Sequence, residues 1–137
     1  MKKFAITGLL VVVFVVCLWL IWQHVNISRF DRDFSRRLAG SWSWEVENIR
    51  GTNMVASDGS FTNQLTFSHH DPTNTYQMAG TWRIKDGRLI ETITRDSKKS
   101  AQIPRTLTGQ IIRVNAIDFV VVWQGSTNQS AWQKVSQ

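Results

Sequence analysis

The sequence predicts an all-β protein: a small antiparallel, up-and-down barrel of seven or eight strands, preceded by one transmembrane helix with a short amphipathic extension. Three observations carry that expectation. Residues 4–22 hold no charge and are rich in Val, Leu, Ile and Phe. After Gly40 the hydrophobic period changes from 3.6 to 2. The strongest turn signal in the chain, Asp86-Gly87, separates two alternating runs. The organisation expected from these is an anchor over 1–25, a juxtamembrane helix over 26–39 and a barrel over 40–137.

The uncharged run is nineteen residues long. As a helix it covers roughly 28 Å, close to the thickness of a bilayer's hydrocarbon core. Trp19 and Trp22 stand at its far end, where an indole can bury its ring and keep its N–H hydrated. A cleaved signal peptide is the alternative, but the run exceeds the usual apolar length and no small-x-small cleavage pattern follows it. The single cysteine, Cys17, lies inside the run, which excludes an intramolecular disulfide and any CxxC redox or metal site. Lys2-Lys3 directly before the apolar run read as a signal anchor, with the C-terminal domain outside the cytoplasm. The expected setting is a bacterial inner membrane with a periplasmic domain, although four arginines on the far side weigh the other way.

Those arginines, Arg29, Arg32, Arg36 and Arg37, flank an apolar stripe of Ile27, Phe30, Phe34 and Leu38 at helical spacing. Two readings are open: a helix whose cations meet lipid phosphates, or a helix packed on its own domain. Residues 1–37 carry six basic and two acidic side chains, +4, and residues 38–137 carry ten and eight, +2. The basic excess therefore belongs to the membrane flank, and no nucleic-acid partner is expected.

From residue 41 Trp42, Trp44 and Val46 share one strand face. Residues 54–56 are a weaker strand, ended by Asp58-Gly59. Phe61, Leu65 and Phe67 share the next face, and Tyr76, Met78, Gly80, Trp82 and Ile84 the one after. Asp86-Gly87 turns the chain into a return strand over 88–94. A polar loop and Pro104 delay the next strand to about Arg105. Residues 106–114 and 118–124 then form a hairpin across Asn115-Ala116. Its turn pairs Ile112 and Val114 with Phe119, Val121 and Trp123, and sets Ile111 with Val120 and Val122 on the other face. A last strand over 130–135 turns Trp132 inward. Closure into a barrel removes the edges that so many strands would otherwise expose.

Gly40-Ser41-Trp42, Asp58-Gly59-Ser60-Phe61 and the run from Gly80-Thr81-Trp82 to Asp86-Gly87-Arg88-Leu89 resemble small bacterial lipocalin-like domains. Those open on a G-x-W strand and carry a G-x-W hairpin with a D-G turn in mid-domain. The resemblance runs from Gly40 to Val135 and implies a calycin-like antiparallel barrel. It implies little about activity, since such domains hold apolar ligands or serve as interaction modules.

Catalytic signatures do not appear: there is no phosphate-binding glycine loop, G-x-S-x-G, H-E-x-x-H or calcium loop. His69-His70-Asp71 reads as a solvated loop, because neighbouring strand residues face opposite ways and one metal cannot take both histidines. No metal or cofactor is expected. A two-residue turn at Asp86-Gly87 sets Trp82 opposite Glu91 on the inner side. There the carboxyl could hold a ligand's polar head, or rest hydrated or bonded to Tyr76 or Gln110. Ile111, Val120 and Val122, with Ile90 near them, form a second apolar face that would meet a protein partner or the helix. Five domain tryptophans suggest a filled interior rather than a cup. The expected function is a non-enzymatic, single-pass accessory subunit of a membrane complex. A tethered binder of a lipid or small apolar molecule is the alternative, and an envelope inhibitor or immunity protein a third.

Overall fold

A single helix, α1 (Lys2–Leu38), runs into the barrel without a break. No proline or glycine lies between Gly8 and Gly40, so nothing interrupts its hydrogen bonds over 37 residues, about 55 Å. The apolar run expected to be an anchor and the amphipathic segment are thus one element. The structure, a computed structural model, describes residues 2–46, 49–67, 75–98 and 102–135. Gly40, with φ of 140°, turns the chain out of the helix and into the first strand.

Eight strands follow: β1 (Gly40–Val46), β2 (Ile49–Val55), β3 (Ser60–Phe67), β4 (Thr75–Lys85), β5 (Arg88–Asp96), β6 (Arg105–Val114), β7 (Asp118–Trp123) and β8 (Gln129–Lys134). Each pairs antiparallel with the next, and β8 returns to β1, closing the barrel. Closure rests on two ladder pairs, Trp42 with Lys134 and Ser43 with Gln133, and on the Val135 N–H, which donates to the Ser41 carbonyl at 2.9 Å. Past them, β1 from Trp44 and β8 before Gln133 have their ladders on one side only.

β2 is longer than its sequence pattern suggests. Its inward positions are Gly51, Asn53 and Val55, while Met54 faces out at 61% exposure. Glycine and asparagine on the inner face hide the alternation. Gly51 is required there, because a Cβ would strike the Trp44 indole in the adjacent strand. The Asp86-Gly87 hairpin is as expected: both residues have positive φ, 53° and 71°, as a type I′ turn demands. Trp82 pairs with Glu91 and Ile84 with Leu89.

Two β-bulges shift faces in ways the alternation did not foretell. In β6, Ile111 pairs with Val121 and Arg113 with Val120, which leaves Ile112 as the extra residue. Ile112 is therefore outside, 54% exposed, and Ile111 joins the core at 7%. The sequence reading had these two reversed, since parity counted from the turn holds only as far as the bulge. The same shift puts Gly109 inside and Gln110 outside. In β5, Gly80 pairs with Ile93 and Ala79 with Arg95, so Thr94 is the extra residue and Asp96 turns inward opposite Met78.

The core lies at the helix end of the barrel. Trp42, with no exposed surface, meets Phe119 edge-on at 5.0 Å, and Phe119 stacks on Trp132 at 5.7 Å. Leu38 enters this cluster from α1, with Phe34 packed against it. The lower half of the apolar stripe thus serves the protein's own domain. The Trp42 indole N–H donates to the Leu38 carbonyl at 2.7 Å, satisfying a helix-terminal acceptor inside the core. Further along α1, both Asp31 oxygens accept backbone N–H groups of the hairpin turn, Asp86 and Gly87, each at 2.9 Å.

At Gly80 a Cβ would run into the Thr92 carbonyl, which is backbone and cannot swing aside. Gly80→Ala should lower the unfolding free energy by about 1–3 kcal/mol. Urea unfolding followed by tryptophan fluorescence measures this, and unchanged stability would mean that the two strands are not so close.

Candidate binding interior of the barrel

The two ends of the barrel differ. The helix end is packed with Leu38, Trp42, Leu89, Phe119 and Val121. Toward the other end the inward positions become polar: Asn53, Asn63, Tyr76, Glu91, Asp96 and Arg105. A filled core was expected, and it holds for the helix end only.

Glu91 lies in mid-wall, paired with Trp82 on one side and Leu107 on the other. It is 7% exposed, and burial alone pushes its carboxyl from an ordinary 4.5 up to about 7. Neither residue named from sequence as its support bonds it. Tyr76 faces inward but donates its hydroxyl proton to Asp96 at 2.7 Å. Gln110 is exposed on the outer face, beside the groove where α1 passes the β4–β5 turn. Trp82 is the one sequence-proposed neighbour that does flank Glu91, and its indole N–H is spent on the Ala56 carbonyl at 2.9 Å.

Tyr76, Asp96 and Arg105 form a polar closure toward the far end. Arg105 Nη2 reaches the Tyr76 hydroxyl at 3.5 Å and Asp96 at 3.7 Å, and the Asp96 side chain has no solvent-exposed surface. Asp96 also accepts the Lys98 backbone N–H at 3.0 Å. The Lys98 ammonium stands over the Phe67 and Tyr76 rings at 5.1 and 5.7 Å, a cation–π pair of contacts. Sequence reasoning missed Asp96 and Arg105, since the Thr94 bulge that turns Asp96 inward leaves no mark on the pattern.

A cavity of about 280 Å³ opens where β1 and β8 part. Trp44, Asn63, Leu65, Ser130 and Trp132 line it. Trp44 meets Trp132 edge-on at 5.8 Å. The indole N–H groups of Trp44 and Trp132 and the carboxamide oxygens of Asn53 and Asn63 are buried without a partner. Asn53 and Asn63 sit directly across from each other in the β2–β3 ladder. A buried polar group left unpaired costs about 1–3 kcal/mol, so four in one region are an uncommon burden on so small a domain.

On the outside, the expected partner face does not form. Ile111 is in the core, Val120 faces out between Arg113 and Ala131 yet is 6% exposed, and Val122 is half-buried. Trp19, Trp22, Arg29, Arg32, Arg36 and Arg37 are all exposed on α1. His69, His70 and Asp71 lie outside the described residues. Among the described residues no three His, Cys, Asp or Glu side chains gather as a metal site would require.

The Glu91 shift sets a pH dependence. In the unfolded chain Glu91 loses its proton near 4.5, while the folded protein holds it to about 7. The unfolded state therefore gains the advantage as pH rises through that window, and above it the deficit is constant at roughly 3 kcal/mol. Glu91→Gln should remove this loss, so that variant and parent are alike near pH 4 and the variant is the more stable above pH 7. Urea midpoints of both across the window measure the difference. A difference that does not change with pH would mean that the carboxyl is hydrated.

No protein-family model and no curated protein matches the chain. Among solved structures it is similar to the NMR structure of a protein from Bacteroides thetaiotaomicron, at 16% sequence identity and a TM-score of 0.48, over 74% of this chain and 92% of that one.

Proposed function

We propose that the chain is a single-pass membrane protein without catalytic machinery, holding its barrel against the outer surface of a bacterial inner membrane as an accessory subunit of a membrane complex. The observation that carries this reading is the Asp31 clasp. A domain that only needs tethering is served by a loose linker. Here one unbroken helix ends inside the barrel core, and its Asp31 carboxylate grips the β4–β5 turn with two hydrogen bonds. Such a mount fixes the barrel's position relative to the helix, which matters when the barrel must meet a second membrane component at a set place.

The distances support a seat at the lipid surface. Val11–Leu38 contains the window apolar enough to cross a membrane, and none of that window is buried in the protein. The groove beside the Asp86-Gly87 turn is lined by Asn26, Ile27 and Phe30. Those residues lie only about 6–12 Å of helix rise beyond Trp22, within or just above the head-group layer. Ile27 and Phe30 remain 41% and 50% exposed there, and Ile117 and Val135 at the same barrel end 72% and 42%. With Arg29 and Arg32 close by, this end suits an interface of lipid and protein.

Two measurements test the reading. A phosphatase reporter fused after Gln137 should be active in bacterial cells only by virtue of export, and carbonate washing should leave the protein in the membrane. Activity confined to a cytoplasmic reporter would reverse the orientation. In a Cys17→Ser background, spin labels at Gln23 and Thr81 should give one narrow distance by pulsed EPR, broadened by Asp31→Ala. A distribution equally narrow in both would remove the clasp from the account. Co-purification in mild detergent should then bring down a fixed membrane partner.

A further inference from the structure

We propose that the outer face of the β4–β5 hairpin lies on the head-group layer and selects anionic phospholipids through Arg83, Lys85 and Arg88. The inference rests on the reading of α1 as a membrane anchor. It adds the class of lipid that the barrel meets and the residues that meet it.

The course of α1 sets which wall turns toward the bilayer. Leu38 leads into β1 inside the core, and Asp31 holds the β4–β5 turn. Those two points stand on opposite sides of the eight-stranded ring. The helix from Asp31 to Leu38, about 10 Å of rise, therefore lies across the end of the barrel. Followed back toward Trp22, it leaves over the β4–β5 rim, so the outer wall at that rim faces the lipid. Gln110 marks the approach: it is exposed on the outer face of β6, yet it shares a groove with Asn26, Ile27 and Phe30. Arg88 is the ladder partner of Gln110. It is thus held near the level of Asn26, about 6 Å of helix rise beyond Trp22 and within head-group depth.

The charge on that wall is of one sign. Lys85 stands directly across from Arg88, Arg83 is two residues back on the same face, and all three are exposed. The acids of these two strands, Glu91 and Asp96, face inward, and Asp86 sits at the tip of the turn. Elsewhere in the barrel Arg50, Arg105 and Arg113 each meet a carboxylate, those of Glu45, Asp96 and Asp118. Among the described residues no carboxylate lies within ion-pair distance of Arg83, Lys85 or Arg88. Like charges directly opposed in a ladder repel, so the arrangement costs stability until an anion comes between them. Phosphate oxygens fit that need, since a guanidinium binds them with two parallel hydrogen bonds. The three cations stand on an open wall, which suits a layer of head groups rather than one enclosed ion. Arg29, Arg32 and Arg36 project from the flank of α1 opposite Asp31 and Leu38, so cations stand on both sides of the helix at this level.

The test places the full chain, labelled with nitrogen-15, in phosphatidylcholine nanodiscs. These carry a trace of either phosphatidylglycerol or phosphatidylcholine with a nitroxide high on its acyl chain. Paramagnetic relaxation of the Arg83, Lys85 and Arg88 amides should be about fivefold greater from the labelled phosphatidylglycerol, the preference that one cation near an anionic surface confers. Lys85→Gln combined with Arg88→Gln should bring the two lipids level, and Arg50→Gln on β2 should leave the preference intact. Equal relaxation from the two lipids in the parent chain would overturn the proposal and leave the anchor standing. Relaxation absent from the hairpin would also overturn it, since this wall would then point away from the bilayer. So would inorganic phosphate moving the Lys85 and Arg88 amide signals while the two lipids stay level, which would give these cations to a soluble anion. Release of the chain by carbonate would instead remove the anchor, and this proposal with it.

Discussion

The structure depends on where one indole is placed. Trp42 is wholly buried, and three constraints meet on it. Its N–H donates to the Leu38 carbonyl at the end of α1, its backbone belongs to the short seam that closes the barrel, and its ring meets Phe119 edge-on while Lys134 stands over it at 5.0 Å. Removing the ring would cost roughly 3–5 kcal/mol from packing alone. It would also leave a helix C-terminus buried with one fewer donor. The ladder pairs of the seam stop at Ser43, and β1 and β8 separate beyond it.

From that separation comes the division of the molecule into a dry end and a polar end. Near the helix the interior is a continuous stack of Trp42, Phe119 and Trp132. Further on, Trp44 and Trp132 no longer fill the space between them, Asn53 and Asn63 bury unpartnered carboxamide oxygens, and Glu91 faces inward with its carboxyl desolvated. A domain of about a hundred residues has few kcal/mol to spare, and polar groups of this kind lower its stability. They are tolerated because closure at the helix end is tight. The far end has its own closure, Tyr76 to Asp96 to Arg105, in which Arg105 Nη2 reaches both partners while its Nε stays buried without one.

Much of this was legible in the residues. Alternation located the strands, Asp86-Gly87 specified its turn, and the G-x-W openings marked two inward tryptophans, Trp42 and Trp82. The features that escaped are of two physical kinds. A bulge changes parity without changing composition, which is why Ile111 and Ile112 exchanged faces, Gln110 left Glu91 and Asp96 came inside. A non-local contact has no period at all: Asp31 lies 55 and 56 residues from the amides it holds. β2 was hard to see for a third reason, since its inner face is built around what Trp44 leaves room for, and glycine carries no hydrophobic signal.

The central claim is that α1 and the barrel form one cooperative body joined at Trp42. Native-state hydrogen exchange on the full chain in detergent addresses it most directly. The amides of Phe34 to Leu38 should open with the same free energy as those of β1 and β8, because each is held through the Trp42 contact. If the last turns of α1 instead exchange early and independently while the strands stay protected, the helix is merely attached, and the fixed mount does not exist.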